Sequence, residues 1–235
     1  MMQYLRKWLR RRKAAQISVA VTAQQWAQSE AKLPFLTHLN KDERQRLREL
    51  ALEFLAEKQM SGAQGLELNP GMQLSIALQA CLLILKLGLD WYRGWVGIIV
   101  YPGDFVISRR EIDMNGVVHE FNDAVMGEAW ERGPVLLSWH DKPEDADGIN
   151  VVIHEFAHKL DMRDGDANGC PPLPPPLDPR AWKATMAKAY ADFAARVDRD
   201  DDTAIDPYAA ESPAEFFAVL SEVFFAAPAI LAASY

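Results

Sequence analysis

The sequence contains very few cysteines, and this scarcity excludes several classes of protein. Cys81 and Cys170 are the only two among 235 residues, too few for a disulfide framework or for a metal site built from four thiolates. Glycine and proline, at 13 and 14 residues, are too few and too scattered for a collagen-like or low-complexity chain. We therefore expect a globular protein of a reducing, cytoplasmic compartment.

The sequence also lacks long apolar runs and net positive charge. Its most apolar stretch, residues 80–89, has about half of the ~20 residues that a membrane span requires, and Lys86 interrupts it. Residues 14–23, which follow a basic run, are too polar for the apolar core of a secretory signal. With 25 basic and 33 acidic residues the formal net charge is −8. We therefore expect no membrane span and no direct binding to nucleic acid.

A basic run near the N terminus is the local exception to this acidic balance. Residues 6–13 include six lysines or arginines. The favoured interpretation is a solvated amphipathic helix with Leu5, Trp8 and Leu9 turned inward. The alternative is a patch for an acidic partner or a membrane surface.

The spacing of apolar residues changes along the chain and predicts an α+β fold. Residues 1–90 have helical periodicity, and Asn40 and Glu43 are spaced as a capping box. Residues 91–235 begin with β-branched and aromatic runs that predict strands, and they end in helical patterns. The predicted helices are 44–60, 72–87, 151–160, 180–197 and 212–225, and the predicted strands are 94–101, 105–107, 117–121 and 135–139. We expect the helical region to pack on a small mixed sheet within one continuous globular unit.

The motif that carries chemistry is H-E-x-x-H, at residues 154–158. Residues four apart on a helix lie on the same face, so His154 and His158 point the same way. Two neutral imidazoles can then occupy neighbouring corners of a tetrahedral Zn²⁺ site, while Glu155 points off the ligand axis and can accept a proton from water. The apolar residues 151–153 disfavour the alternative of a surface helix with stacked histidines, because buried histidines need partners.

The third ligand is less well defined by the sequence. Glu215 lies in the first turn of an apolar helix, where a carboxylate is costly to bury unless it is paired or bound to a metal. Ser212, Pro213 and Glu215 also fit a capping box with proline at the first helical position. The residues alone leave both interpretations open, and Glu211 and Glu222 are competing carboxylates.

Three further residues could support or complete such a site. Asp161 follows His158 on the same helical face, where it would orient an imidazole or would be a surface acid at the end of the helix. Asp164 stands where one extended zinc-peptidase pattern has a third histidine, but the glycine turn before that position is missing. A purely structural zinc would need a fourth protein ligand, and His140 is the nearest histidine that could supply one.

The motif, together with Tyr208 and the run Pro213–Phe217, resembles the Mlc titration factor A family of bacterial zinc metallopeptidases. It is also similar to the catalytic domain of anthrax lethal factor, in which a tyrosine precedes the glutamate ligand by the same seven residues. The resemblance spans most of the chain, and its specific motifs lie in the second half. Members of the family usually continue past the position of Tyr235, so this chain could be a shortened form.

The resemblance implies a zincin-like catalytic region at residues 91–235 and one Zn²⁺ held by His154, His158 and Glu215, the gluzincin arrangement. It makes Glu155 the general base and Tyr208 the hydroxyl that steadies the oxyanion. The expected activity is peptide hydrolysis, including aminopeptidase-like hydrolysis, with an extended substrate pairing with a sheet edge near residues 126–130. The family name implies a second role, the sequestration of the glucose-related transcriptional repressor Mlc. In the alternative hypothesis that binding role stands alone, with a structural or vestigial zinc.

Overall fold

The computed structural model describes residues 2–112, 118–140 and 150–234. Within these residues it contains eight α-helices and six strands, an α+β composition as predicted. The helices are α1 Met2–Ala20, α2 Ala23–Ala31, α3 Lys41–Glu57, α4 Pro70–Leu83, α5 Val151–Asp161, α6 Pro179–Val197, α7 Pro213–Ala226 and α8 Pro228–Ser234. The strands are β1 Gln59–Gly62, β2 Gly97–Tyr101, β3 Phe105–Ile112, β4 Val118–Val125, β5 Gly127–Ala129 and β6 Val135–Ser138. Residue 117, where the third of the predicted strands begins, lies outside the described residues.

Four of the strands form a small mixed sheet in the order β1-β2-β6-β5. The pairs β1–β2 and β2–β6 are parallel, and β5 runs antiparallel to β6 at one edge. The remaining strands, β3 and β4, form a separate antiparallel hairpin. Among the described strands β5 is the last in the sheet, so the structure has an edge at residues 127–129, within the predicted range 126–130.

The strand β1 corrects the prediction of a helix over 44–60. Helix α3 begins after the Asn40–Glu43 capping box, as predicted, but it ends at Glu57. The Lys58 ammonium then donates hydrogen bonds to the carbonyls of Tyr92 and Trp95, at 2.5 and 2.7 Å. These contacts direct the following residues into parallel pairing with β2. The four residues of β1 are mostly exposed, so no apolar alternation marked them in the sequence.

The main core lies between the N-terminal helices, the sheet and α5. Helix α4 is buried on nearly all sides, as its sequence predicted. Four aromatic rings from three parts of the chain pack together at centroid distances of 5.2–6.2 Å; they are Phe54, Tyr92, Trp95 and Phe156. A second apolar cluster joins α6 and α7 around Phe193 and Phe216. Helix α5 therefore lies between the main core and α7, with one face packed on each.

The orientation of α1 contradicts the favoured prediction for the basic run. Leu5, Trp8 and Leu9 are 57%, 54% and 50% exposed rather than turned inward. The side of α1 that faces α3 is instead centred on Arg10 and the buried Ala14. Arg10 forms ion pairs of 3.0 Å with Glu53 and with Glu57 of α3, and these fix the rotation of the helix. None of the helices in the described ranges combines the length and the apolar character needed to cross a membrane.

Candidate metal centre

Helix α5 presents both histidines of the motif toward one point. The Asn150 side chain caps the helix by accepting a hydrogen bond from the Ile153 amide at 2.9 Å. His154 and His158 follow one turn apart, and their Nε2 atoms lie 3.1 Å from each other. Their rings meet edge to face, with centroids 4.8 Å apart. The motif is therefore helical, and its imidazoles converge as the four-residue spacing predicts.

Helix α7 brings Glu215 to the same point. The Ser212 hydroxyl caps α7 by accepting a hydrogen bond from the Glu215 amide at 3.2 Å. The Glu215 carboxylate extends to the histidines, with Oε2 at 2.9 Å from His154 Nε2 and 3.3 Å from His158 Nε2. The capping motif and the approach to the histidines are therefore compatible, because the cap uses the backbone of Glu215 and leaves its side chain available.

The three converging atoms have the spacing of a metal-ligand set. The two imidazole nitrogens and the carboxylate oxygen lie within 4.8 Å of one another, with pairwise distances of 2.9, 3.1 and 3.3 Å. Ligands bound at about 2.0–2.1 Å in a tetrahedron are separated by about 3.3 Å. The triangle is thus slightly smaller than the corresponding face of a zinc site, and small movements of the side chains would match it.

Glu222, one of the two competing carboxylates, lies behind His154 rather than in the cluster. Its Oε1 is 2.7 Å from His154 Nδ1, and its Oε2 accepts a hydrogen bond from the Asn150 amide. When His154 is neutral, a carboxylate at this position favours its proton on Nδ1, which leaves the Nε2 lone pair directed at the cluster. Glu222 follows Glu215 by seven residues on one helix. The two-turn spacing was the sequence signal that could have assigned it this role.

The charges around the cluster favour a cation at its centre. Burial lowers the pKa of His154, but hydrogen bonds to Glu215 and Glu222 outweigh burial and raise it to about 10. Burial raises the pKa of Glu215, and the hydrogen bonds from the two histidines overcome this effect and hold it at about 2. The site is therefore built to balance positive charge with buried carboxylates, whether a proton or a metal ion supplies that charge.

Glu155 lies beside the cluster and is almost completely buried, at 5% exposure. Burial raises the pKa of its carboxyl to about 7. Its Oε2 has no hydrogen-bond partner among the described residues. Gly127 of β5 packs directly on this carboxylate, since a Cβ at position 127 would lie 2.4 Å from Glu155 Oε1. The edge strand and the acid are thus in immediate contact.

Lys159 holds that edge strand against α5. Its ammonium donates hydrogen bonds to the backbone carbonyls of Trp130 and Glu131, at 2.5 and 3.2 Å, in the turn that follows β5. Burial lowers the pKa of this amine to about 8. His158 and Lys159 are therefore consecutive residues of α5 with different contacts: His158 belongs to the cluster, and Lys159 contacts the turn after the edge strand.

Tyr208 borders the cluster from a 3-10 turn at Pro207–Ala210 that precedes α7. The Asp206 carboxylate caps this turn by accepting a hydrogen bond from the Tyr208 amide at 2.9 Å. The tyrosine ring is 49% exposed, and its centroid lies 6.1 Å from that of His154. Its position between solvent and the histidines is compatible with contact to a bound substrate.

Asp161 is completely buried at the end of α5, where it binds a loop. Its Oδ2 accepts hydrogen bonds from the amides of Asn168 and Gly169, at 2.7 and 2.6 Å. Gly169 packs so closely on the start of α7 that a Cβ there would lie 2.3 Å from the Pro213 carbonyl oxygen. The interpretation of Asp161 as a surface acid is therefore wrong. Neither its Oδ1 nor His158 Nδ1 has a hydrogen-bond partner within the described ranges, and its role toward an imidazole stays a prediction.

The remaining candidates lie elsewhere. His140 Nε2 pairs with Asp104 Oδ1 at 3.0 Å, and Glu211 and Asp164 are exposed. Of the described residues that could hold a metal, only His154, His158 and Glu215 form a group. His140 is not part of it.

Two imidazoles from one helix and a carboxylate from a second form a donor set used by metallopeptidases. The family described as "Glucose-regulated metallo-peptidase M90" matches residues 5–235, so the chain belongs to this metallopeptidase family. The resemblance noted from the motifs is thereby confirmed.

Curated relatives of the chain carry the name "Mlc titration factor A". The protein of that name from Klebsiella pneumoniae (strain 342) is 42% identical over 211 residues, which cover 88% of this chain and 79% of the relative. The one from Escherichia fergusonii is 40% identical over 204 residues, covering 85% and 77%. The one from Salmonella arizonae is 41% identical over 204 residues, covering 85% and 81%.

Proposed function

We propose that the chain is a zinc-dependent peptidase with a zincin-like catalytic region. The observation that carries this proposal is the meeting of the His154, His158 and Glu215 ligand atoms at 2.9–3.3 Å. If Glu222 fixes the His154 proton on Nδ1, a nitrogen lone pair faces a carboxylate oxygen across the cluster. Such an arrangement of acceptors is repulsive unless a cation or a proton lies between them.

Zinc fits these donors better than Ca²⁺ or Mg²⁺ does. Nitrogen and oxygen donors in a set of three, with the fourth position free, are typical of catalytic zinc, whereas Ca²⁺ and Mg²⁺ prefer oxygen ligands alone. His154, His158 and Glu215 would hold the ion, and the Glu222 carboxylate would orient His154 from behind. Because His140 pairs with Asp104 instead, the described residues provide no closed four-ligand site. This supports the enzyme over a purely structural zinc.

In the proposed mechanism, a bound zinc ion would polarise the scissile carbonyl and lower the pKa of water toward neutrality. The Glu155 carboxylate takes the proton from the attacking water and passes it to the leaving amine. Its partnerless Oε2 and its pKa near 7 suit a group that must both accept and release a proton at neutral pH. The Tyr208 hydroxyl donates a hydrogen bond to the oxyanion that develops on the carbonyl oxygen as water adds to the carbonyl carbon.

An extended peptide would bind along β5. This strand has β6 on one side and forms an edge of the sheet, so its outer backbone groups can pair with a substrate strand. The contact between Gly127 and Glu155 places that edge directly beside the general base. An aminopeptidase-like form of the activity would require recognition of a free N terminus in addition.

A second function, binding of the repressor Mlc, is supported by the names of the relatives. These proteins are called Mlc titration factor A and are 40–42% identical to this chain. We propose that the chain binds the same class of repressor, and that binding and peptidase activity coexist. The Glu155→Gln variant separates the two, because it should abolish hydrolysis and leave the folded surface intact.

The test of the peptidase proposal combines metal analysis with hydrolysis of a peptide library. We expect about one zinc per chain, and hydrolysis that chelation abolishes and added zinc restores. Glu155→Gln should retain zinc and lose at least about 10²-fold in kcat, while His154→Ala should lose both. Tyr208→Phe should lower kcat by about 10²-fold with little change in zinc content or KM. Undiminished hydrolysis by Glu155→Gln would refute the proposed mechanism.

A further inference from the structure

The outward face of α1 carries five exposed apolar side chains around the exposed Arg12, although the helix is already anchored by its other face. Tyr4, Trp8 and Val19 are 83%, 54% and 90% exposed, and Leu5 and Leu9 are at least half exposed. At about 100° per residue, these five side chains are centred roughly 180° from the face of Arg10, Ala14 and Ile17 that packs toward α3. No described part of the chain covers this apolar face.

The same helix concentrates positive charge that the rest of the chain does not share. Residues 1–29 contain six lysines or arginines and no aspartate or glutamate, in a chain of net charge −8. Arg10 is neutralised by Glu53 and Glu57, but Arg12 and Lys13 are exposed next to the apolar residues. The Arg12 guanidinium lies 5.6 Å from the centre of the Trp8 ring. Tyr4, Lys7, Leu9 and Lys13 border an open cleft of about 920 Å³ between α1 and the segment that carries Arg93, and Glu57 and Asp90 also line it.

We propose that α1 is a docking surface for anionic phospholipid bilayers, with Tyr4, Leu5, Trp8 and Leu9 entering the headgroup boundary and the flanking lysines and arginines contacting lipid phosphates. A basic helix with exposed leucine and tryptophan has the composition of interfacial helices, which lie in the plane of the membrane. Tryptophan and tyrosine are favoured at that depth because their rings are amphipathic. Nucleic acid fits less well, since its phosphates offer nothing to the exposed leucines and valine of this face.

The anchoring of α1 to α3 makes this contact compatible with the folded protein. The ion pairs of Arg10 hold the inner face in place, so the outer face can enter a lipid surface without unfolding of the core. Docking through one exposed face of a helix is peripheral, which agrees with the lack of a spanning helix in the described ranges. It does not depend on the metal centre or on the proposed peptidase activity.

The test is cosedimentation of the 235-residue chain with large vesicles. One set contains phosphatidylcholine alone, and the other contains phosphatidylcholine with about one-third phosphatidylglycerol. Each basic residue near an anionic surface contributes about fivefold to partitioning, so we expect at least about tenfold stronger binding to the anionic vesicles. Binding should fall steeply in about 0.5 M NaCl, where charge attraction is screened.

Two double variants examine the two components of the surface. Trp8→Ser with Leu9→Ser, and Arg12→Gln with Lys13→Gln, should each reduce binding to anionic vesicles by about tenfold or more. The matched controls are Leu177→Ser, which removes a 53% exposed leucine elsewhere, and Lys183→Gln with Lys188→Gln on α6. Both controls should bind as wild type, and all variants should unfold as wild type because the replaced residues are exposed.

Three results would overturn the proposal. The first is equal binding to neutral and anionic vesicles, or no binding to either. The second is binding to duplex DNA, but not to vesicles, that is lost in the Arg12→Gln, Lys13→Gln variant, which would assign the surface to nucleic acid. The third is a dimer in lipid-free solution that dissociates on Trp8→Ser with Leu9→Ser, which would show that a second copy covers the face.

Discussion

Replacing Gly127 with alanine tests whether the edge strand β5 positions the general base. An alanine Cβ at this position would lie 2.4 Å from Glu155 Oε1 and 2.6 Å from its Cγ, whereas ordinary contacts begin at 3.4 Å. Either the carboxylate or the strand must therefore move by about 1 Å. A displacement of this size at a reacting group costs about 10²-fold in rate, so we expect kcat/KM for a peptide substrate to fall by about that factor.

The assay compares zinc content, unfolding and steady-state hydrolysis of Gly127→Ala with those of wild type. Zinc content should be unchanged, since the three atoms nearest to a Cβ at position 127 all belong to Glu155 and not to a ligand residue. The matched control is Gly103→Ala, because the nearest atom to a Cβ there is 4.0 Å away, and its kcat/KM should equal that of wild type. A Gly127→Ala enzyme with full activity would refute the view that the strand and Glu155 form one catalytic unit.

Three further predictions concern the groups that support the metal centre. In the metal-free protein the pKa of His154 is raised to about 10, above its value near 6.5 in an unfolded chain. Its contribution of a few kcal/mol is therefore complete below pH 6.5 and lost as the pH rises through about 10. The difference in unfolding free energy between wild type and His154→Gln, measured with chelator present, should shrink over that range, and a growing difference would contradict the assignment. Glu222→Gln should weaken zinc binding by about 10- to 100-fold in a competition titration, because the carboxylate that orients His154 is lost; unchanged affinity would remove Glu222 from the site. Asp161→Ala should lower the free energy of chemical unfolding by about 2–4 kcal/mol, since two backbone amides lose their acceptor, whereas Asp164→Ala on the surface should change it little.

The helical half of the site could be predicted because its signals are local. The four-residue spacing of His154 and His158 fixes their common face on any helix, and the apolar residues before them indicate burial. The pair Ser212 and Glu215 was harder to interpret because Glu215 both takes part in the cap of α7 and approaches the histidines. The backbone amide of Glu215 completes the cap while its carboxylate reaches the histidines. Local spacing could not distinguish these uses, and the family resemblance did.

The predictions from sequence missed, or gave wrongly, the features that depend on contacts between residues far apart in the chain. The strand β1 exists through its pairing with β2 and the hydrogen bonds of Lys58 to residues 92 and 95. The rotation of α1 is set by Arg10 and its partners on α3, more than forty residues away. The apolar periodicity predicted that Leu5, Trp8 and Leu9 form the inner face of α1, because this pattern takes no account of ion pairs between helices. The contact between Glu222 and His154 likewise appears only once α5 and α7 are packed together.

The most direct test of the central claim is anomalous diffraction from crystals of the zinc-loaded protein, recorded on both sides of the zinc absorption edge. We expect one anomalous peak per chain, at about 2.0–2.1 Å from the Nε2 atoms of His154 and His158 and from a carboxylate oxygen of Glu215, with water as the only other ligand. The account would be contradicted if no anomalous peak appeared at this site. It would also be contradicted if a fourth protein side chain were bound to the ion in place of water.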